Sequence, residues 1–138
     1  MLSMILVAVD GSESAKKAFE KSIYIAQKCS SKLDVVHVMT CELGGDSADT
    51  FDLLDEIKAK AEKMLEEYRI EASKKNVSIE VIIKQGDPAR IIIEFSKKNK
   101  YDLIIMGTRG RNTFQEFLLG SVALKVVHHA SCPVMIVR

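Results

Sequence analysis

The chain alternates between short apolar runs and longer amphipathic segments, and this alternation predicts its secondary structure. Continuous runs such as MILVAV at 4–9 and YDLIIM at 101–106 are typical of strands buried on both faces. Between the runs, apolar residues recur at three- and four-residue steps, as they do along one face of a helix. The pattern predicts strands at 4–9, 32–39, 77–84, 101–106 and 133–137, and helices at about 13–30, 51–75, 89–98 and 121–129.

Strands that alternate with helices require crossover connections, and these produce a parallel sheet with helices on both faces. The length of 138 residues and the absence of repeats or composition breaks predict a single domain over 1–138. Residues 41–50 (CELGGDSADT) are small and polar, so we expect a loop there. The stripe expected to be buried on the first helix consists of Ala15, Ala18, Phe19, Ser22, Ile23, Ala26 and Cys29.

The net charge and the cysteine content indicate which classes of partner and which cellular compartment to expect. The formal net charge is only +1, which argues against a broad electrostatic grip on nucleic acid or on an anionic membrane. No apolar run reaches the roughly 18 residues that span a bilayer, and we interpret the apolar start as a strand and not as a signal peptide. The three cysteines, Cys29, Cys41 and Cys132, form no CxxC pair. A reduced, cytoplasmic setting is therefore expected.

Candidate chemistry is expected where the parallel strands end. Ligands of open parallel sheets bind beyond the carboxyl ends of the strands, where the strand order reverses. The first and fourth strands are expected to flank that point, so the loop after each is a candidate. These loops contain Asp10-Gly11-Ser12 and the segment GTRGRNTFQEFLLGSVALKVV, which begins at Gly107.

The three glycines of this segment, Gly107, Gly110 and Gly120, are suited to binding a phosphate. Gly107 allows a sharp turn at the end of a strand, and Gly110 allows a close backbone approach. Gly120 and Ser121 open a helix whose first N–H groups lack partners and whose dipole end is positive. Glycine-rich loops also occur in proteins that bind nothing, and Ser121 would be expected to cap the helix in either case.

Polar side chains around these glycines would complete an anion site. Arg109 and Arg111 supply charge, and the hydroxyls of Thr113 and Ser121 supply hydrogen bonds. Asp10 would face a ribose hydroxyl, an adenine edge or a metal ion on the phosphates. Neither a P-loop nor a G-x-G-x-x-G after the first strand is present.

The glycine segment resembles a known family motif. Gly107-x2-Gly110-x9-Gly120-Ser121 matches the G-2x-G-9x-G-[ST] pattern of the universal stress protein family, in its ATP-binding branch. ILVAVDGSESAKKAF, VVHV, GDPARIII, YDLIIMGTRG, LLGSVALKVV and CPVMIVR extend the similarity along the chain. The resemblance implies an α/β, Rossmann-like (adenine nucleotide alpha hydrolase-like) open parallel sheet of five strands in the order 3-2-1-4-5.

The resemblance also implies a set of ligand-binding residues. In this branch, adenine lies against the ends of the first two strands, and the ribose and phosphates lie along the glycine segment and the last helix start. The implied positions are Ala8, Asp10 and Val38 at the base, Met106, Gly107, Arg109, Gly110, Arg111, Asn112 and Thr113 along the glycine segment, and Gly120, Ser121 and Val122 at the helix start. Position 109, often histidine in the family, is arginine here.

The family further implies a cofactor and a partner. The expected ligand is ATP, with ADP or AMP as alternatives, accompanied by Mg²⁺ or Mn²⁺ held by the phosphates. A homodimer is expected through the last strand, with Val134 and Ile136 at the interface, since an apolar edge strand invites pairing. The alternative is that these two side chains face only their own core. A regulatory role would also involve a protein partner other than a second copy of the chain.

The sequence contains no clear catalytic set. Ser121 has no nearby histidine, His37 is assigned a core or strand-end role, and Asp10 is the one carboxylate at the expected pocket. We therefore expect no enzyme activity beyond slow ATP hydrolysis. The favoured hypothesis is a nucleotide-dependent regulatory or stress-response switch in which ATP orders residues 107–122 and the loop at 41–50. The alternatives are a weak metal-dependent ATPase or nucleotide hydrolase, and a dimeric adaptor that binds no nucleotide.

Overall fold

A computed structural model describes residues 2–40, 48–108 and 118–138 of the chain. Within these ranges the strands and helices alternate as predicted. In chain order they are β1 (Met4–Ala8), α1 (Glu13–Cys29), β2 (Lys32–Met39), α2 (Ala48–Lys74), β3 (Ile79–Gln85), α3 (Pro88–Lys98), β4 (Leu103–Gly107), α4 (Ser121–His129) and β5 (Val134–Val137).

The strands form one parallel sheet in the order β3-β2-β1-β4-β5, which confirms the predicted topology. Chain order reverses between β1 and β4, because β2 and β3 lie on one side of β1 and β4 and β5 on the other. The carboxyl ends of β1 and β4 therefore flank the switch point at which parallel α/β sheets bind ligands.

Helices cover the sheet on both faces, so the adjacent strands β1 and β4 at its centre are wholly apolar. On one face, α1 and α2 pack against the sheet around Phe19, Leu65 and Tyr68. On the other, α3 and α4 pack around Ile92, Ile104 and Val126. Ile5, Leu6 and Val7 of β1 have no exposed surface, which explains why this strand shows no polar alternation.

Three sequence expectations need adjustment. Cys29 is exposed, unlike the rest of its predicted stripe, because α1 ends there and the chain turns away at Ser30 in a left-handed conformation (φ 53°). Helix α2 begins at Ala48, inside the stretch predicted as a loop, while residues 41–47 lie outside the described residues. Several strands differ from prediction by one or two residues at their ends, where hydrophobic pattern carries little information.

Candidate functional site

A cleft of about 500 Å³ opens at the carboxyl edge of the sheet, at the reversal of strand order. Its volume lies within the range of roughly 300–1,000 Å³ found for small-molecule sites. Every sequence-predicted site residue that the structure describes lines this cleft. These residues are Ala8, Asp10, Val38, Met106, Gly107, Gly120, Ser121 and Val122.

The remaining predicted residues belong to the middle of the glycine segment. Arg109, Gly110, Arg111, Asn112 and Thr113 lie outside the described residues, so their participation stays a prediction.

Asp10 is held at the end of β1 by its own loop. Its Oδ1 accepts a hydrogen bond from the backbone N–H of Ser12 at 2.9 Å. The intervening Gly11 has φ 84°, a left-handed value that favours glycine. Ser12 in turn caps α1, because its Oγ accepts from the N–H of Ala15 at 3.1 Å. The half-buried carboxylate therefore lines the cleft in an orientation set by the loop backbone.

Gly107 owes its lack of a side chain to the close approach of α1. A Cβ atom at this position would lie 2.6 Å from the carbonyl carbon of Ser14 and 2.8 Å from the backbone nitrogen of Ala15, besides contacting the Ser14 hydroxyl. These separations are far below van der Waals contact. The sequence assigned Gly107 to a sharp turn, whereas in the structure it allows the first turn of α1 to pack against the end of β4.

Helix α4 begins at the cleft, but its cap differs from the expected one. Gly120, not Ser121, is the N-cap residue, and a glycine has no side chain with which to cap the helix. Gly120 has extended dihedral angles and its carbonyl accepts the first helical bond, from Leu124 at 2.9 Å, so the exposed Ser121 is already inside the first turn. The expectation that Ser121 caps α4 is therefore wrong.

The start of α4 is tied directly to the end of β4. The N–H of Gly120 donates to the carbonyl of Thr108 at 2.7 Å. Helix geometry leaves the N–H groups of Ser121, Val122 and Ala123 without acceptors inside the helix. These donors, together with the positive end of the helix dipole, make this side of the cleft suitable for an anion.

The cleft also contains residues that were not predicted to line it. His37 lines it from β2, and its Nδ1 lies 2.8 Å from the carbonyl oxygen of Val9. Ile57 of α2 and Pro88 and Ile92 of α3 contribute apolar surface. Pro88 could have been anticipated, since a proline that opens a helix after β3 must lie near the carboxyl edge of the sheet. Ile57 and Ile92 carry no such signal, because only tertiary packing brings them to this edge.

The charge of Asp10 affects the pKa of the buried Tyr68. Burial raises the pKa of Tyr68 to about 12, and the negative charge of Asp10 contributes to this rise. Among residues 2–40, 48–108 and 118–138, no cluster of three histidine, cysteine, aspartate or glutamate side chains is suited to hold a metal ion. Asp10 therefore offers a metal one carboxylate, an arrangement that suits Mg²⁺ when phosphates and water supply its other ligands.

A second, more open depression of about 630 Å³ lies at the opposite edge of the sheet. Its lining includes Gln27, Lys32, Asn76 and Glu80, and the Lys32 ammonium pairs with the Glu80 carboxylate at 3.1 Å. Helices α1 and α2 end near this depression, and the negative ends of their dipoles disfavour an anionic ligand. The carboxyl-edge cleft is therefore the better candidate for a phosphate-containing ligand.

Among residues 2–40, 48–108 and 118–138, the structure contains no helix that could span a membrane.

Comparison with known proteins identifies the family. A model of the Universal stress protein family matches residues 1–138. Universal stress protein YxiE of Bacillus subtilis is 34% identical over 148 aligned residues, which cover 100% of both chains. Among solved structures, universal stress protein UspA from Lactobacillus plantarum superposes with a TM-score of 0.90 at 28% identity, covering 99% of this chain and 98% of that one.

Two further structures contain a nucleotide. A universal stress protein solved in complex with cAMP has a TM-score of 0.78 at 26% identity, covering 99% of this chain and 97% of that one. A family member from Arabidopsis thaliana with AMP bound has a TM-score of 0.70 at 27% identity, covering 98% and 90%. With the fold and the full-length family match in agreement, the chain belongs to the universal stress protein family.

Proposed function

We propose that the cleft at the carboxyl edge binds an adenine nucleotide and that the protein acts as a nucleotide-dependent regulatory switch. The observation that carries this proposal is that the amino terminus of α4 opens into a cleft between the ends of β1 and β4. Relatives of similar fold bind cAMP and AMP, which supports an adenine nucleotide as the ligand class. Within that class we propose ATP, on the strength of the G-2x-G-9x-G-[ST] motif.

The phosphates belong at the start of α4. The N–H groups of its first turn would donate to phosphate oxygens, and the helix dipole would favour their negative charge. Arg109, Arg111 and Thr113 are proposed to add charge and hydrogen bonds from the same segment.

The base belongs at the end of β2. The β1–β2 register ends at Ala8–Val36, so Val38 extends past the last pair of these strands. Residues of β2 alternate in the direction of their backbone groups: Val36 accepts from Val9 on the β1 side, and Met39 accepts from Gly86 on the β3 side. The N–H and C=O of Val38 therefore point toward the β1 side of the sheet, past the last β1–β2 pair. There they can form hydrogen bonds with the edge of the adenine base.

Asp10 belongs at the ribose or at a phosphate-bound cation. Its fixed carboxylate can accept hydrogen bonds from ribose hydroxyls, or it can supply one ligand to the Mg²⁺ or Mn²⁺ that accompanies ATP. The cation would neutralise phosphate charge, while the protein holds the nucleotide around it.

Calorimetric titration with ATP, ADP, AMP and cAMP tests the site. Asp10→Asn keeps the oxygen that accepts the Ser12 N–H and removes only the charge, so we expect about tenfold weaker binding of Mg-ATP. If Asp10 contacts the ribose, AMP binding without metal weakens as well; if it contacts the cation, AMP binding stays unchanged. Asp52→Asn, an exposed change on α2, is the matched control. Wild-type protein that binds none of the four nucleotides would disprove the proposal.

The switch requires that nucleotide binding favour one conformation over another. Hydrogen exchange with and without ATP should reveal protection that extends beyond the residues lining the cleft. The release of phosphate from ATP should be negligible over the time course of the hydrogen-exchange experiment. Steady release that Asp10→Asn abolishes while binding persists would assign hydrolysis in place of switching.

The proposal includes a cytoplasmic location and a homodimer through β5. Cys29 and Cys132 are both free thiols, which suits a reducing compartment. β5 is the terminal strand of the sheet, and Met135 on it is 37% exposed. Val134 and Ile136 are half-buried against their own core, so the proposed interface combines their remaining surface with the strand backbone.

Sedimentation of the wild type and a charged edge variant tests the dimer. Met135→Lys should shift the protein toward monomer, because a lysine on an edge strand opposes strand pairing. Ile70→Lys, an exposed apolar-to-charged change on α2, should not alter the assembly. A monomeric wild type at high concentration would contradict the dimer without affecting the nucleotide proposal.

A further inference from the structure

His37 makes a side-chain contact that fixes its protonation pattern. Its Nδ1 lies 2.8 Å from the carbonyl oxygen of Val9, 28 residues earlier in the chain. A carbonyl oxygen only accepts hydrogen bonds, so Nδ1 must carry the proton and act as the donor. In the neutral ring, Nε2 is then the unprotonated nitrogen.

The contacted carbonyl lies where β1 stops pairing with β2. The N–H of Val9 donates to the Val36 carbonyl at 3.0 Å, as it would in a continuing parallel ladder. The next bond of such a ladder would run from the Val38 N–H to the Val9 carbonyl. In the described part of the chain the Val38 N–H does not bond to the Val9 carbonyl. The His37 ring donates a hydrogen bond to this carbonyl instead.

This substitution of a side chain for a ladder bond has two consequences at the cleft. The Val9 carbonyl belongs to the peptide that leads into Asp10, so His37 sets where that residue leaves the sheet. The Val38 N–H keeps its donor capacity for a ligand, since β1 does not consume it.

We infer that His37 is a positioning residue of the nucleotide site, which holds the Val9–Asp10 peptide and reserves the Val38 backbone for the base. This inference rests on the proposed function. His37 acts through its neighbours: Asp10 contacts the ribose or cation, and Val38 contacts adenine.

Three substitutions separate the donor at Nδ1 from the ring itself. In His37→Asn the amide nitrogen lies close to the position of Nδ1 and can still donate to Val9. In His37→Gln the amide reaches the position of Nε2, and in His37→Leu no donor remains. We expect ATP binding to weaken about tenfold in the Leu and Gln variants, the scale of one lost hydrogen bond, and to recover largely in the Asn variant. His129→Leu, an exposed histidine outside the cleft, is the matched control.

Two readouts distinguish positioning from loss of packing. The penalty of Asp10→Asn should be smaller in the His37→Leu background than in the wild type, because the two residues act on one loop. The preference for ATP over GTP should also fall in His37→Leu, because base recognition depends on the Val38 backbone. If the two substitutions weaken ATP binding by factors that simply multiply, and the preference for ATP over GTP is unchanged, the inference is wrong.

The tautomer can be measured without ligand. Long-range ¹H–¹⁵N spectra of the free protein should show His37 with a protonated Nδ1, and comparison with His37→Asn assigns the signal. A neutral ring protonated at Nε2 would overturn the inference even if nucleotide binds. Failure of the wild type to bind any nucleotide would instead disprove the proposed function and the role of His37 in it, while an Nδ1–H signal would still support its hold on Val9.

Discussion

At the scale of single residues, Gly107 shows how a glycine of a family motif can also be a packing requirement. The backbone of Ser14 and Ala15 occupies the space where a β-carbon at position 107 would lie. The first glycine of the segment therefore brings α1 close to the end of β4. Ser12, which caps α1, and Gly107 both line the cleft, so the contact joins its β1 side to its β4 side.

Gly107→Ala should destabilise the protein by about 1–3 kcal/mol, the usual cost of overpacking. Chemical denaturation by urea measures the change. Ser14→Ala in the same background should restore little stability, because the closest atoms that remain belong to the α1 backbone. Full recovery in the double variant would show that the clash involves only the serine hydroxyl.

At the scale of elements, the helices begin in different ways. Ser12 caps α1 and Asp87 caps α3 through their side chains, the latter by accepting from the Arg90 N–H at 3.0 Å, with Pro88 in the first turn. Serine and aspartate are both residue types that commonly cap helices in this way. Helix α4 starts from Gly120, which has no side chain to serve as a cap, and the residues of its first turn line the cleft.

The three helix starts should respond differently to alanine. Ser12→Ala and Asp87→Ala should each lower the free energy of unfolding by about 1 kcal/mol, because each removes a capping acceptor. Ser121→Ala should change it by less than about 0.5 kcal/mol, as exposed substitutions away from caps usually do. Urea denaturation of the three variants side by side measures the differences. A loss in Ser121→Ala equal to the other two would contradict the assignment of Gly120 as the cap.

At the scale of the whole molecule, buried tyrosines connect distant parts of the chain. The Tyr101 hydroxyl donates to Oδ2 of Asp34 at 2.6 Å, in an interior where Asp34 is 2% exposed. Oδ1 of Asp34 has no hydrogen-bond partner within the described ranges. Burial, and then the bond to Asp34, raise the pKa of Tyr101, while Tyr68 packs edge-on against Phe19 on the other face of the sheet.

Stability should therefore decrease in alkaline solution. An unfolded tyrosine ionises near pH 10, whereas the pKa of Tyr68 in the folded protein is raised to about 12. Between these values the unfolded chain has lost a proton that the folded chain keeps. The stabilisation is therefore fully present below pH 10 and is lost as the pH rises toward 12. Tyr68→Phe should make the fall of the urea midpoint with pH less steep, and an identical slope in both proteins would contradict this origin.

The prediction of one domain over 1–138 also belongs to this scale and stays a prediction. A single cooperative unfolding transition, with coincident far-ultraviolet and tyrosine signals, is the expected result. Two separated transitions would contradict it.

Much of the fold was available from the sequence because secondary structure here follows local pattern. The strand at Lys32–Met39 and the helix at Ser121–His129 match prediction at both ends, since apolar periodicity and flanking turn residues mark them clearly. The strand order came from family resemblance and not from the pattern. Within the site, the end of each parallel strand identified where Asp10 and Gly107 should lie, because that rule depends only on topology.

The sequence by itself determined the alternation of strands and helices, the parallel sheet that follows from it and the loops that carry the candidate site. Tertiary structure alone decided the contacts between residues far apart in the chain: α1 against Gly107, the His37 ring on the Val9 carbonyl, and Ile57 and Ile92 at the cleft. The physical reason is that periodicity reports which face of an element is buried, while the neighbour that buries it is fixed only when the elements pack together.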